Sequence, residues 1–185
     1  ELWREIDAFT RELRADETAE SIKQQPAIAA TREAYKRCGK DPSRYRPSAE
    51  ALRRRLMRGL ELYQIDTLVD LINLVSLRTG YSIGGFDADK IQGDSLELGI
   101  GRAEEPFEGI GRGTLNIEGL PVYRDRAGGI GTPTSDNERT KMGLETRRIL
   151  AIVNGYNGRE GLAEAAGMIQ ELLRKYADSD GGTIL

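Results

Sequence analysis

The stretch Ile65–Ile91, IDTLVDLINLVSLRTGYSIGGFDADKI, decides how this chain folds. Ile65, Leu68, Val69, Leu71, Ile72, Leu74, Val75 and Leu77 make its first half too apolar all round for a surface helix, so the pattern predicts a buried one. Within it Asp66, Asp70, Asn73 and Ser76 recur every three or four residues and line one stripe of that helix. Burying such groups without partners costs on the order of 2 kcal/mol or more each. The stripe must therefore meet backbone groups, ordered water or the wall of a pocket. Gly80 suits the left-handed residue that follows a helix C-terminus. Tyr81 to Asp89, with Gly84 and Gly85 ahead of Phe86 and Asp87, reads as a loop built for close backbone approach.

The whole chain of 185 residues suits one globular domain with a substantial core. Its 31% charged and 38% hydrophobic residues are ordinary for a soluble protein. No apolar run is long enough to span a membrane and no signal-peptide pattern opens the chain, so the expectation is a cytoplasmic protein without a membrane partner. The single Cys38 excludes an internal disulfide and a cysteine-rich metal site, and reads as a small apolar filler at a helix end. The chain has no histidine, which excludes Ser-His and Cys-His dyads and His-ligated zinc. Catalysis must then use carboxylates, lysine, hydroxyls, backbone amides or the substrate's own groups, and neither metal nor cofactor is expected. A net charge of -3 argues against strong non-specific nucleic-acid binding, DNA included, although distribution matters more than the sum.

On the N-terminal side, Leu2, Ile6, Phe9 and Leu13 predict an amphipathic helix over Leu2–Ala19 that covers the core. A second helix runs from Pro26 to Cys38 with Gly39 as terminator, and a proline-containing loop follows to Pro47. Ser48 is a candidate N-cap for a third helix, with Leu52 and Leu56 facing the core. Arg44, Arg46, Arg53, Arg54, Arg55 and Arg58 make this the most basic region of the chain. It reads either as a solvated face paired with acids elsewhere or as a phosphate-binding strip, the planar guanidinium fork favouring phosphate. Arg46, Arg54 and Arg58 are the candidate RNA contacts.

On the C-terminal side the period falls to two: Leu96, Leu98 and Ile100 predict a strand with one buried face. Leu115 with Ile117, Val122 with Tyr123, and Leu150–Val153 predict further strands, and Arg159–Ala177 a last amphipathic helix. The fold class is α+β, a central mixed or antiparallel sheet with helices packed around it. Between the strands lies a second glycine-rich run, Arg124–Thr140, RDRAGGIGTPTSDNERT. It lacks the Gly-Lys-Ser/Thr of a phosphate loop and the spacing of a dinucleotide fingerprint. Its glycines serve either tight turns or a set of backbone amides that could hold a carbonyl or carboxylate oxygen.

Val69-Asp70, Asn73, Gly80, Phe86-Asp87 and Asp89-Lys90-Ile91 together resemble, without a gap, the signature of the B3/4 domain in the beta subunit of bacterial phenylalanyl-tRNA synthetase. Asp125, Ala127-Gly128 and Gly131 resemble that family's strand-ending Asp and glycine-rich loop, part of the wall of the pocket for the amino-acid end of tRNA. The resemblance covers roughly 45–156. It implies a free-standing single B3/4-like domain, with 1–44 as helical cover and 157–185 as a C-terminal helix and tail. Gly84 stands where the family has a pocket histidine and Ile72 where it has a Thr, which enlarges the pocket and makes it more apolar. The family's pocket glutamate has no matching acid, Asn154 being nearby. Asp70, Asn73, Gly84, Gly85, Phe86, Asp87, Asp125, Gly128, Gly129 and Gly131 are the pocket residues so implied.

The implied function is binding of tRNA or aminoacyl-tRNA with hydrolysis of the mischarged ester in trans. In that role Asp70 and Asn73 organise the pocket, Gly84 and Gly85 form its wall and Gly128–Gly131 donate amides. Asp70 and Asp87 read equally as caps and loop tethers. The competing class is a non-catalytic module that holds tRNA, an amino acid or a protein in the same pocket. The sequence leaves oligomeric state open, a homo-oligomer included.

Overall fold

The computed structural model describes residues 1–185. Helix α5 (Thr67–Thr79) is its axis, with Leu71, Ile72, Leu74, Val75 and Leu77 all buried. Asp66 caps it by accepting the Val69 amide at 2.9 Å, and Gly80 ends it in the left-handed region at φ 77°. Around it pack α1 (Leu2–Asp16), α4 (Ser48–Met57), α6 (Leu162–Tyr176) and strand β1 (Ser82–Asp87). The main core joins Leu2, Ile6, Leu71, Val75, Ile169 and Leu173.

The N-terminal cover holds one more element than the pattern predicts. α1 stops at Asp16, and α2 (Ala19–Gln24) restarts from a capping box between Thr18 and Ser21. This is local hydroxyl chemistry, which apolar spacing does not register. α3 (Pro26–Arg37) follows, ending at Cys38 and Gly39 as expected. Gln25 serves two helices: its side-chain oxygen accepts the Ala27 and Ile28 amides, and its Nε2 donates to the Thr79 carbonyl at 2.8 Å. Ser48 is not an N-cap. It is the first helical residue, after Pro47, and its amide donates to the Pro133 carbonyl.

The class is α+β and every strand pairing is antiparallel. The strands form three small sheets: β1 with β7 (Ile149–Asn154); β2 (Glu97–Ile100), β5 (Pro121–Asp125) and β6 (Gly128–Gly131); and β3 (Glu108–Gly109) with β4 (Gly113–Thr114). Both glycine-rich runs expected as loops are strands. β1 is buried at all six positions, so only a ladder satisfies its backbone. β6 pairs with β5 through a bulge at Tyr123/Arg124. Leu115–Ile117 forms no strand; Ile117 instead joins a second core with Tyr35, Phe107, Leu120 and Val122. The period-two reading of β2 finds a strand, but Leu98 and Ile100 are 57% and 56% exposed rather than buried, because β2 is the sheet's edge and nothing covers that face.

A Cβ on Gly101 would lie 1.9 Å from the Ile117 carbonyl oxygen, which is backbone and cannot step aside. A Cβ on Gly85 would meet only the ends of Met142 and Ile72. In thermal melts followed by circular dichroism, Gly101→Ala is expected to lose about 2–3 kcal/mol, roughly 5–10 °C, and Gly85→Ala clearly less. Equal melting of the two variants would contradict this packing.

Candidate functional site: two glycine runs meet at Asp136

β1 and β6 belong to different sheets, and the Phe86 ring closes the space between them. A Cβ on Gly84 would lie 2.8 Å from that ring and one on Gly131 only 2.5 Å, so both positions exclude side chains. Phe86 is 1% exposed. On the same two glycines rests a carboxylate: Asp136 Oδ1 lies 3.1 Å from the Cβ position of Gly84 and 2.9 Å from that of Gly131. Its Oδ2 accepts the Gly85 amide at 3.1 Å, and its backbone bridges to Gly131. The residue is half-buried, and its Oδ1, which has no protein donor, keeps contact with solvent. Burial, only partly offset by the Gly85 hydrogen bond, pushes its pKa up to about 7. Such a group exchanges a proton near neutral pH, which no histidine here can do.

Asp136 was not among the candidates, since one acid in a polar turn carries no signal in spacing. The turn itself presents it: the Thr132 hydroxyl accepts the Thr134 and Ser135 amides, and the Thr132 amide donates to the Ser135 carbonyl. Tyr156 was missed as well. Its hydroxyl is buried without a partner, and burial, with Tyr123 and Cys38 nearby, raises its pKa. Tyr123 sits directly across from Gly131 in the β5–β6 ladder, which places its side chain on the Asp136 side of the sheet.

Of the expected pocket residues, the structure brings Gly84, Gly85, Phe86 and Gly131 together. Gly129 instead packs on Phe107 and Val122, and Gly128 faces open space at φ 132°. The amides of Gly128–Gly131 are not a freed set, because the run is a paired strand, and the Ile130 carbonyl also accepts the Asn137 amide. Asn73 is half-buried beside Ile72, whose Cδ1 lies 2.7 Å from the Cβ position of Gly85. Asp70 faces α1, accepting the Trp3 indole at 2.8 Å and the Ile65 amide at 3.0 Å; burial raises its pKa against both. Asp87 holds the Thr146 hydroxyl and the Asp89 amide. Asp125 forms a two-point pair with Arg139 and accepts the Gln92 and Ala127 amides. Burial alone would raise the Asp125 pKa, and these four bonds bring it below the usual range. For Asp70, Asp87 and Asp125 the tethering role is the one seen.

The arginine strip divides in the same way. Arg54 donates to Glu50 at 2.7 Å and is 12% exposed, so its guanidinium is spent inside the fold. Arg32 pairs with the same fully buried Glu50. Arg53 is held by Glu17 and the Leu77 carbonyl, and Arg55 covers the Tyr63 ring at 3.9 Å. Arg58 is exposed and Arg46 half-buried. A separate cavity of about 1060 Å³ lies between β7, α6 and the residues after Ser179, away from Asp136. No helix is long and apolar enough to cross a membrane.

The family model described as the B3/4 domain matches residues 30–174. That span runs from α3 into the last turn of α6 and contains every strand, leaving α1 and α2 outside it. No curated protein matches the chain.

A carboxyl whose pKa rises from 3.8 to about 7 binds its proton more tightly folded than unfolded. Its contribution to stability is therefore full below about pH 4, declines as pH rises through about 7, and is flat above that. Asp136→Asn keeps an oxygen for the Gly85 amide and removes the charge. Against wild type, the variant's gain in urea-denaturation stability is expected to grow from pH 4 to pH 8 by on the order of 4 kcal/mol at most. A gain independent of pH would contradict the desolvated carboxyl.

Proposed function

The chain belongs to the B3/4 domain family, and on that premise we propose that it is an RNA-binding protein which takes the aminoacyl end of tRNA and hydrolyses mischarged aminoacyl-tRNA in trans. The observation that carries this reading is the Asp136 carboxyl, bonded to the Gly85 amide where the two glycine runs meet, its pKa pushed up to about 7 by burial. Near neutral pH about half of such groups are ionised, which suits one residue to act first as base and then as acid.

In this mechanism the aminoacyl ester reaches Asp136 beside the Gly84–Gly85 backbone, which requires the Phe86, Ile72 or Met142 side chains that fill that space to move aside. Asp136 takes a proton from water as the oxygen attacks the ester carbonyl. It returns that proton to the ribose oxygen as the carbon–oxygen bond breaks, giving free amino acid and uncharged tRNA. Arg58 and Arg46, neither committed as Arg54 is, are the phosphate contacts of the RNA strand. A cytoplasmic location, where charged tRNA circulates, belongs to the same reading.

A second reading is favoured by Phe86, whose ring fills the space beneath Gly84 and Gly131 and leaves it closely packed. It is a module that holds the same tRNA end without cleaving it.

The two separate on a panel of aminoacyl-tRNAs, mischarged species included, with ester hydrolysis measured above the uncatalysed rate. Cleavage of at least one member is expected, with kcat rising through an apparent pKa near 7. Asp136→Asn should lower kcat by about 10²–10⁴ with little change in KM. Binding without turnover would select the second reading. Full activity in Asp136→Asn would overturn the mechanism.

A further inference from the structure

β2 is the edge of its sheet, paired only with β5. Gly101, the next residue, directs both backbone groups at the β5 side: its amide donates to the Leu120 carbonyl and its carbonyl accepts the Gly119 amide. By alternation, the backbone groups of Leu96, Leu98 and Ile100 point outward, away from the sheet. Arg124 donates to the Ile100 carbonyl from outside the ladder, as that direction requires.

The two faces of β2 differ. Over Glu97 and Gly99 lies the Arg124 guanidinium, its Nη1 2.7 Å from the Cβ position of Gly99, in a two-point pair with Glu105. The other face carries Leu98 and Ile100, more than half exposed, with Leu96 half-buried beside them. Natural sheets guard their edges with charges, prolines or bulges, and an apolar open edge is a template for another strand.

The sequence of this edge complements itself. Laid antiparallel on its own copy about Leu98, Asp94-Ser95-Leu96-Glu97-Leu98-Gly99-Ile100-Gly101-Arg102 sets Leu98 opposite Leu98 and Leu96 opposite Ile100. At each end it sets Asp94 opposite Arg102. Leu96, Leu98 and Ile100 share one face by the two-residue period, and Asp94 and Arg102 flank them just outside β2. Asp94 and Arg102 are exposed and stand outside the chain's own ion pairs. The register also makes Leu98 with Leu98 and Leu96 with Ile100 the hydrogen-bonded pairs, the Ile100 carbonyl sharing its second lone pair or releasing Arg124 when the strands meet.

We propose that β2 pairs with the β2 of a second copy of this chain, antiparallel about a two-fold axis at Leu98, joining two three-stranded sheets into one of six strands. The pairing is isologous, so it closes at the dimer and does not propagate. The contact is short, which makes the dimer weak and dependent on concentration.

Sedimentation equilibrium of the full chain from about 5 to 500 µM tests the pairing. A monomer–dimer equilibrium is expected. Leu98→Lys, a change at an exposed position, should weaken it at least about tenfold. Asp94→Arg and Arg102→Asp, each placing like charges at both ends, should do the same. The double variant Asp94→Arg/Arg102→Asp restores opposite pairs and should return to within about threefold of wild type. A monomer throughout the range would overturn the proposal. So would a dimer indifferent to Leu98→Lys, or a double variant no better than its singles.

Discussion

Two missing side chains set the geometry on which the rest of this structure depends. At Gly84 and Gly131 there is no Cβ, and the space so released holds the Phe86 ring and the Asp136 carboxylate together. Packing at interior density allows no other way to bring a ring and a carboxylate that close to two strands. The apolar contact fastens β1 to the second sheet. The carboxylate, seated on the same glycines, loses water and is left with one amide donor. Structural closeness and the raised pKa therefore have a single cause, since the packing that excludes side chains also thins the solvent that would keep Asp136 fully ionised.

The remaining buried charges follow the opposite rule, each meeting several partners. Glu50, fully buried, accepts from Arg32 and Arg54. Glu5 takes the Tyr176 hydroxyl, Lys175 and Arg78, which carries α1 across to α5 and α6 and brings its pKa down to about 2. Asp125 receives four donors. Lys40 donates to the Asn116 and Glu118 carbonyls and lies over the Tyr45 ring. Against this background Asp136 has one protein donor, and Tyr156 joins Thr140 and Asn154 among the buried side chains that carry an unpartnered oxygen.

Much of this was legible in the sequence. The apolar run of α5 and the glycine after it gave a buried helix and its end, because helix burial and the left-handed cap are local properties. Pro26 and Gly39 bounded α3 for the same reason. The Val69 to Ile91 signature gave the family that the match over residues 30–174 establishes. The strand character of β1 and β6 was not legible, because glycine in a strand leaves no alternation to read, and only a partner strand reveals it. The fate of the arginines was hidden too. Arg54 and Glu50 lie one turn apart on α4, yet that Glu50 is buried and shared with Arg32 is tertiary information. The exposure of Leu98 and Ile100 marks the limit of period-two reasoning, which finds a face without saying what covers it.

The account stands on the state of a single carboxyl, and carbon-13 NMR of the labelled aspartate side chains reads it without reference to activity. Assigned through Asp136→Asn, the Asp136 carboxyl is predicted to titrate with a midpoint near pH 7 and to shift when a hydrolysis-resistant aminoacyl-adenosine amide is added. A midpoint near 4, with no response to the analogue, would contradict it.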